Sequence, residues 1–157
     1  MEEKAPGEKY EFYENVEQIL NETPRNRIRI VLGNFNAKLG KENIFRGNVH
    51  GNHSMHYITS ENGLRLIDFV SVGGLVVKST MFPPQDIYKR AWKVPIMVDI
   101  RTNQIDHVMI NTIFKNCIHD VKTVRGADCD SDHYLVKGKL NVKLKKLAVK
   151  KLWTYMK

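Results

Sequence analysis

Apolar and polar positions alternate along the chain in blocks of different period. Phe12, Tyr13, Val16, Ile19 and Leu20 fall on one face of a 3.6-residue repeat, with Glu11, Glu14 and Glu17 facing elsewhere. That spacing predicts an amphipathic helix, ended before Pro24 because proline and its predecessor both resist helical geometry. Ile28 to Leu32 is a β-branched run ending in Gly33-Asn34-Phe35-Asn36. It predicts a buried strand that delivers two short polar side chains to its tip, where Gly33 lets the backbone turn sharply. Residues 40–59 are polar, rich in Gly, Asn and His, and predict a long loop. Ser60 is placed to cap a second helix whose apolar members are Leu64, Leu66, Ile67, Phe69 and Val70, with Gly73-Gly74 as its stop. Leu75 to Thr80 is a short β-rich run, and Met81 to Asp86, containing Pro83-Pro84, is a breaker. Trp92 to Ile100 and Gln104 to Asn111 predict a strand pair in which Pro95 confines the first member to an edge. Ile118 to Val124 and Tyr134 to Leu144 alternate as further strands. The final stretch sets Leu144, Leu147, Ala148, Leu152, Tyr155 and Met156 among lysines. This is the spacing of a basic amphipathic helix, and a solvated, frayed end is the plainer reading of the same residues.

The pattern gives a mixture of strands and few helices, with no repeat and no linker. At 157 residues the chain is one domain by length and can bury a real core. The sequence divides into a loose N-terminus at 1–8, a domain at 9–143 and a basic tail at 144–157. A net charge of +8 and a pI near 9.5 favour a polyanionic partner such as nucleic acid, though a basic surface also serves solubility alone. No apolar run approaches the ~20 residues that span a bilayer, so no membrane role is expected. Met1-Glu2-Glu3-Lys4 has no apolar stretch behind it and does not resemble a signal peptide. Cys117 and Cys129 lack metal-ligand spacing and fit a reducing intracellular setting, the nucleus included, better than a disulfide framework.

Candidate chemistry is concentrated in three stretches: Gly33-Asn34-Phe35-Asn36-Ala37-Lys38, Asn103-Gln104-Ile105-Asp106-His107, and Arg125-Gly126-Ala127-Asp128 running to Ser131-Asp132-His133. In order and approximate spacing they resemble the back half of the endonuclease/exonuclease/phosphatase superfamily, over roughly residues 8–145. The likeness is to the apurinic-endonuclease-like enzymes of LINE-type retrotransposons and to craniofacial development protein 2-like proteins, whose pattern reads Gly-Asp-Phe-Asn-Ala-Lys, Asn-Gln-Ile-Asp-Tyr/His and Ser-Asp-His.

The resemblance implies an α/β fold, a four-layer sandwich of two face-to-face sheets with helices outside, here a partial domain truncated on its N-terminal side. It implies Mg²⁺-dependent phosphodiester hydrolysis at the strand ends along one edge. Position by position, Asn36 matches the phosphate-holding asparagine and Asp106 the aspartate that orients the last histidine. Asp132 matches the metal-side carboxylate and His133 the phosphate-contacting imidazole. Asn34 departs: the family has an aspartate there that activates water, and an amide accepts no proton and adds no charge to a metal site. The family's preceding half, with its metal-binding glutamate, has no counterpart among Glu2, Glu3, Glu8 and Glu11. Mg²⁺ held by Asp132 alone would be weakly bound, because hard cations want several oxygens. The activity expected of this chain is therefore strongly impaired or absent.

Other residues offer less specific chemistry. His50, His53 and His56 have ligand-like spacing but no acidic or Cys partner in the run, so they read as loop histidines. Trp92 suits either base stacking or core packing. Lys38, Lys41, Arg46, Arg90 and Arg125 are candidates to line a backbone-tracking groove. Three functional readings follow. The first is a DNA-cutting enzyme of the retrotransposon type. The second is a non-catalytic, basic nucleic-acid-binding remnant. The third is a protein-interaction unit that dimerises or recruits a partner through an exposed sheet face.

Overall fold

The first helix, α1 (Pro6–Glu22), opens on a proline, which is tolerated in a first turn because its missing N–H has no partner there anyway. It reaches back into the stretch read as loose. A computed structural model describes residues 6–42, 49–83, 92–94, 101–124 and 133–143. Strand β1 (Ile30–Asn34) follows, then α2 (Glu61–Val72) and β2 (Leu75–Val77). Ser60 caps α2 by accepting the N–H of Gly63, and the N–H of Gly73 closes on the Phe69 carbonyl. Gly74 then reverses the chain at φ +62°, a value that favours glycine. Lys78–Thr80 is a 3₁₀ turn, so the run read as β-rich is a strand only in its first half.

The remaining strands are β3 (Trp92–Val94), β4 (Arg101–Asn103), β5 (Asp106–Asn111), β6 (Ile118–Val124) and β7 (Leu135–Leu140). The main sheet runs β1-β5-β2, antiparallel throughout, with Leu32 opposite Val108, Asn34 opposite Asp106, and Val77 opposite Met109. β6 and β7 form a second antiparallel sheet, and β3 and β4 a short ribbon. The expected pairing of Trp92–Ile100 with Gln104–Asn111 is not found among the described residues, 95–100 lying outside them. β3 pairs with β4, while β5, buried at five of its six positions, is drawn to the centre of the main sheet.

Alternation along β5 divides the core in two. Met109 points to one side with Leu75 and Val77 and meets Leu66 and Val70 of α2 and Tyr13 and Leu20 of α1. Val108 and Ile110 point to the other side with Val76 and meet Ile118 and Val121 of β6. The order is helices, main sheet, second sheet. Among the described residues β1 is an edge strand rather than the buried strand expected: Leu32 is 67% exposed and Ile30 38%. Ile19, assigned to the buried face of α1, is also exposed. Buried Arg29 joins the layers, its guanidinium donating to the Leu20 and Gly73 carbonyls at the ends of both helices.

Candidate active site

The pairing of β1 with β5 builds the site. Cross-strand partners share a face of the sheet, so Asn34 and Asp106 project together at the strand ends. His133, just ahead of β7, completes the group. Its Nδ1–H donates to Asp106 Oδ2 at 3.0 Å. Its Nε2 lies 3.4 Å from Asn34 Nδ2. The amide orientation follows from a second bond: Asn34 Oδ1 accepts the N–H of Asn36 at 2.8 Å, which leaves the NH₂ group facing the histidine. With Nδ1 turned to the carboxylate, Nε2 is the ring atom that faces the Asn34 amide. Leu32, Val108, Tyr134 and Val136 extend the site into an open cleft of about 450 Å³.

The loop after β1 is held from behind. Asn36 sits at φ +47°, a left-handed conformation that asparagine tolerates better than most residues. Buried Asn62, in the first turn of α2, donates its amide to the carbonyls of Phe35 at 2.5 Å and Asn36 at 3.2 Å. Ser60 Oγ accepts the Lys38 N–H at 3.1 Å, and Thr59 Oγ1 accepts the Gly40 N–H at 2.9 Å. Gly63 lies against the Lys38 carbonyl, where a Cβ has no room.

His107, one residue beyond Asp106, points to the opposite face and is fully buried. Its Nε2–H donates to the Ala37 carbonyl at 2.7 Å, and Ser79 Oγ–H donates to Nδ1 at 3.0 Å. Burial pushes its pKa down to about 4; the Ala37 bond opposes the shift, and the neighbouring His56 and His50 add to it. The imidazole is therefore neutral and serves as a strut under the loop.

The sequence-derived candidates separate into groups. Asn34, Asp106 and His133 converge, and Asn36 joins them through its backbone N–H. Asp132, Arg90, Arg125 and Arg46 lie outside the described residues, as do the side chain of Trp92, Cys129 and the tail 144–157. Lys38 is half-buried in the loop held by α2. Lys41 places its Nζ 4.8 Å from the centre of the Tyr57 ring. His56 accepts the Gln104 N–H at 3.1 Å, and burial first, then Lys38, lowers its pKa. His50 is buried against the Gly51 carbonyl.

Asn62 and His107 were missed as functional positions. Asn62 next to the Ser60 cap was the only available signal, because both residues bond to backbone far away in sequence. Among the described residues, one Asp106 oxygen is engaged by His133, Asn34 supplies only an amide, and no cluster of three His, Cys, Asp or Glu is found; Asp132, the expected metal-side carboxylate, lies outside them.

No family model matches the chain. It is 35% identical over 142 residues to craniofacial development protein 2 of Tragulus javanicus and 34% identical to that of Bos taurus, covering 88% of this chain in each comparison. The chain spans about a quarter of the length of those relatives, 23% in both. In structure it matches the endonuclease domain of TRAS1, a telomere-specific non-LTR retrotransposon, with a TM-score of 0.61 at 13% identity, over 86% of this chain and 52% of that one. That likeness establishes the fold: mixed α/β with antiparallel sheets, of the endonuclease/exonuclease/phosphatase type.

Proposed function

From an endonuclease-like domain related to craniofacial development protein 2, we propose a phosphodiester-binding site that has kept its phosphate-contacting histidine and lost its proton acceptor. The observation that carries this reading is His133 held between the Asp106 carboxylate at 3.0 Å and the Asn34 amide at 3.4 Å.

Hydrolysis of a phosphodiester needs a water relieved of its proton, neutralisation of the non-bridging oxygens and a stabilised leaving oxygen. Asp106 fixes the ring of His133 so that its Nε2 edge and the Asn34 NH₂ group both face the cleft, where a phosphate oxygen would sit. Binding is thereby served, and the chain's charge of +8 adds long-range attraction. Nothing at position 34 takes the proton from water. General base catalysis contributes about 10²–10⁴-fold, so its loss leaves a nucleic-acid binder with little turnover of its own.

The test pairs fluorescence anisotropy on a DNA duplex with nicking of supercoiled plasmid in Mg²⁺ or EDTA. Binding that weakens steeply with salt and falls in His133→Ala, without EDTA-sensitive nicking, is expected. Nicking that both EDTA and His133→Ala abolish overturns the loss of turnover. Absence of binding at low salt overturns the nucleic-acid assignment.

A second reading has its own observation. Ile30 and Leu32 on the β1 edge and Leu135 and Leu140 on β7 are all exposed apolar side chains. An open strand edge beside apolar surface suits β-sheet pairing with a second chain. A monodisperse monomer in light scattering at high protein concentration removes this reading.

A further inference from the structure

A second concavity, sharing no lining residue with the site, lies between α1 and α2. Tyr13 and Phe69 form its floor, with ring centroids 5.4 Å apart, and the exposed Val72 stands at one end. Glu14, Glu17 and Asp68 line a groove of about 340 Å³ together with a single cation, Arg65, which is paired with Glu61. The acidity is out of character for the molecule. α1 carries five glutamates against one lysine, in a chain whose net charge is +8. Tyr13 is itself more than nine-tenths buried, and its hydroxyl has no hydrogen-bond partner among the described residues.

We propose that this groove is the docking site of the chain's own basic segment, residues 144–157. Its chemistry complements the groove on both counts. Leu144, Leu147, Ala148, Leu152 and Tyr155 recur at helical spacing and supply an apolar stripe for Tyr13, Phe69 and Val72. Lys145, Lys146, Lys150 and Lys151 supply ammonium groups for the acidic rim. An amphipathic helix laid into an apolar groove with a charged border is a recurring mode of recognition.

The topology permits the reach. The N–H of Asn141, just past β7, donates to the Cys117 carbonyl at 2.8 Å. Cys117 ends the 3₁₀ stretch that begins at Thr112, whose N–H donates to the Gly74 carbonyl at 2.9 Å. Gly74 lies two residues past Val72, at the groove's end. The 3₁₀ stretch spans about 10 Å at ~2 Å per residue. Residues 144–157 cover about 21 Å as a helix and about 46 Å extended. Asn141, three residues before the segment, is thus linked through this 3₁₀ stretch to the C-terminal end of α2, and the segment's length suffices to run along the groove.

The test is zero-length carbodiimide cross-linking of the full chain at low salt, read by mass spectrometry of the monomer band. Links from Lys150 or Lys151 to Glu14, Glu17 or Asp68 are expected. They should fall several-fold at about 0.5 M salt, where screening is short-ranged. They should also vanish in a Lys150→Glu, Lys151→Glu variant, which leaves the described fold untouched. A Glu14→Gln, Glu17→Gln, Asp68→Asn variant should lose them as well, with unchanged circular dichroism. No such links at low salt, or links found only in a dimer band, overturns the proposal; the latter result would assign the groove to a second copy's tail.

Discussion

Lowering the pH should destabilise the domain through His107, and the size of the effect follows from its burial. The imidazole is completely enclosed, and burial pushes its pKa down to about 4 from the ordinary 6.5. In the unfolded chain it titrates near 6.5. Between these two values the unfolded state binds a proton that the folded state refuses, so stability falls as pH falls. The loss runs at about 1.4 kcal/mol per pH unit and reaches about 3 kcal/mol by pH 4. Against the ~5–15 kcal/mol that holds a typical domain together, this is a large fraction. Protonation would also convert the Nδ1 acceptor into a second donor, leaving the Ser79 hydroxyl to turn away. Urea unfolding at pH 7, 6, 5 and 4 gives the slope. His56 is shifted in the same direction, so the clean quantity is the difference between the wild type and His107→Gln. The variant is expected to be less stable at pH 7 and to show a shallower pH dependence, by close to one proton, between 6.5 and 4. Identical slopes for the two proteins would refute the reasoning, as would an NMR titration that placed His107 near 6.5.

Three further outcomes are expected. Asn34→Asp places a proton acceptor beside His133 and should raise plasmid nicking by about 10²-fold or more over the wild type; no change would place the deficit elsewhere. Gly63→Ala puts a methyl group into the Lys38 carbonyl and should cost about 1–3 kcal/mol in urea unfolding, whereas wild-type stability would show that α2 can move away freely. Asn36→Ala removes a residue suited to φ +47° and should cost about 1–2 kcal/mol, with Asn36→Gly much less harmful by the same measurement.

Local signals in the sequence were read well where their cause is local. The Ser60 cap and the glycines after α2 act within a few residues of themselves, and α2 begins and ends where they place it. β6 occupies the residues its alternation marks. β1 illustrates the opposite case. Alternation reports that one face of a strand meets apolar surface, but not whether a strand lies on each side of it. Its edge position is a property of sheet order. Asp106 and His133 were legible through their motifs, although 27 residues separate them. Asn62 and His107 were not, because the loop they brace is held through main-chain carbonyls, 27 residues away for Asn62 and 70 for His107. A carbonyl has no sequence signature, so a side chain that braces backbone looks the same in the sequence as any other polar residue.

The pairing of Asn34 with Asp106 makes the site a by-product of how two strands align. Slipping β1 by a single residue along β5 would swing every one of its side chains through the sheet, sending Asn34 toward the helices and Gly33 to face Asp106. The helices would survive such a slip and the far-ultraviolet spectrum would barely change. The histidine would nonetheless have lost its neighbour. Lesions at the other end of the ladder, around Ile30 and Ile110, can therefore silence the cleft from a distance without touching any residue that lines it.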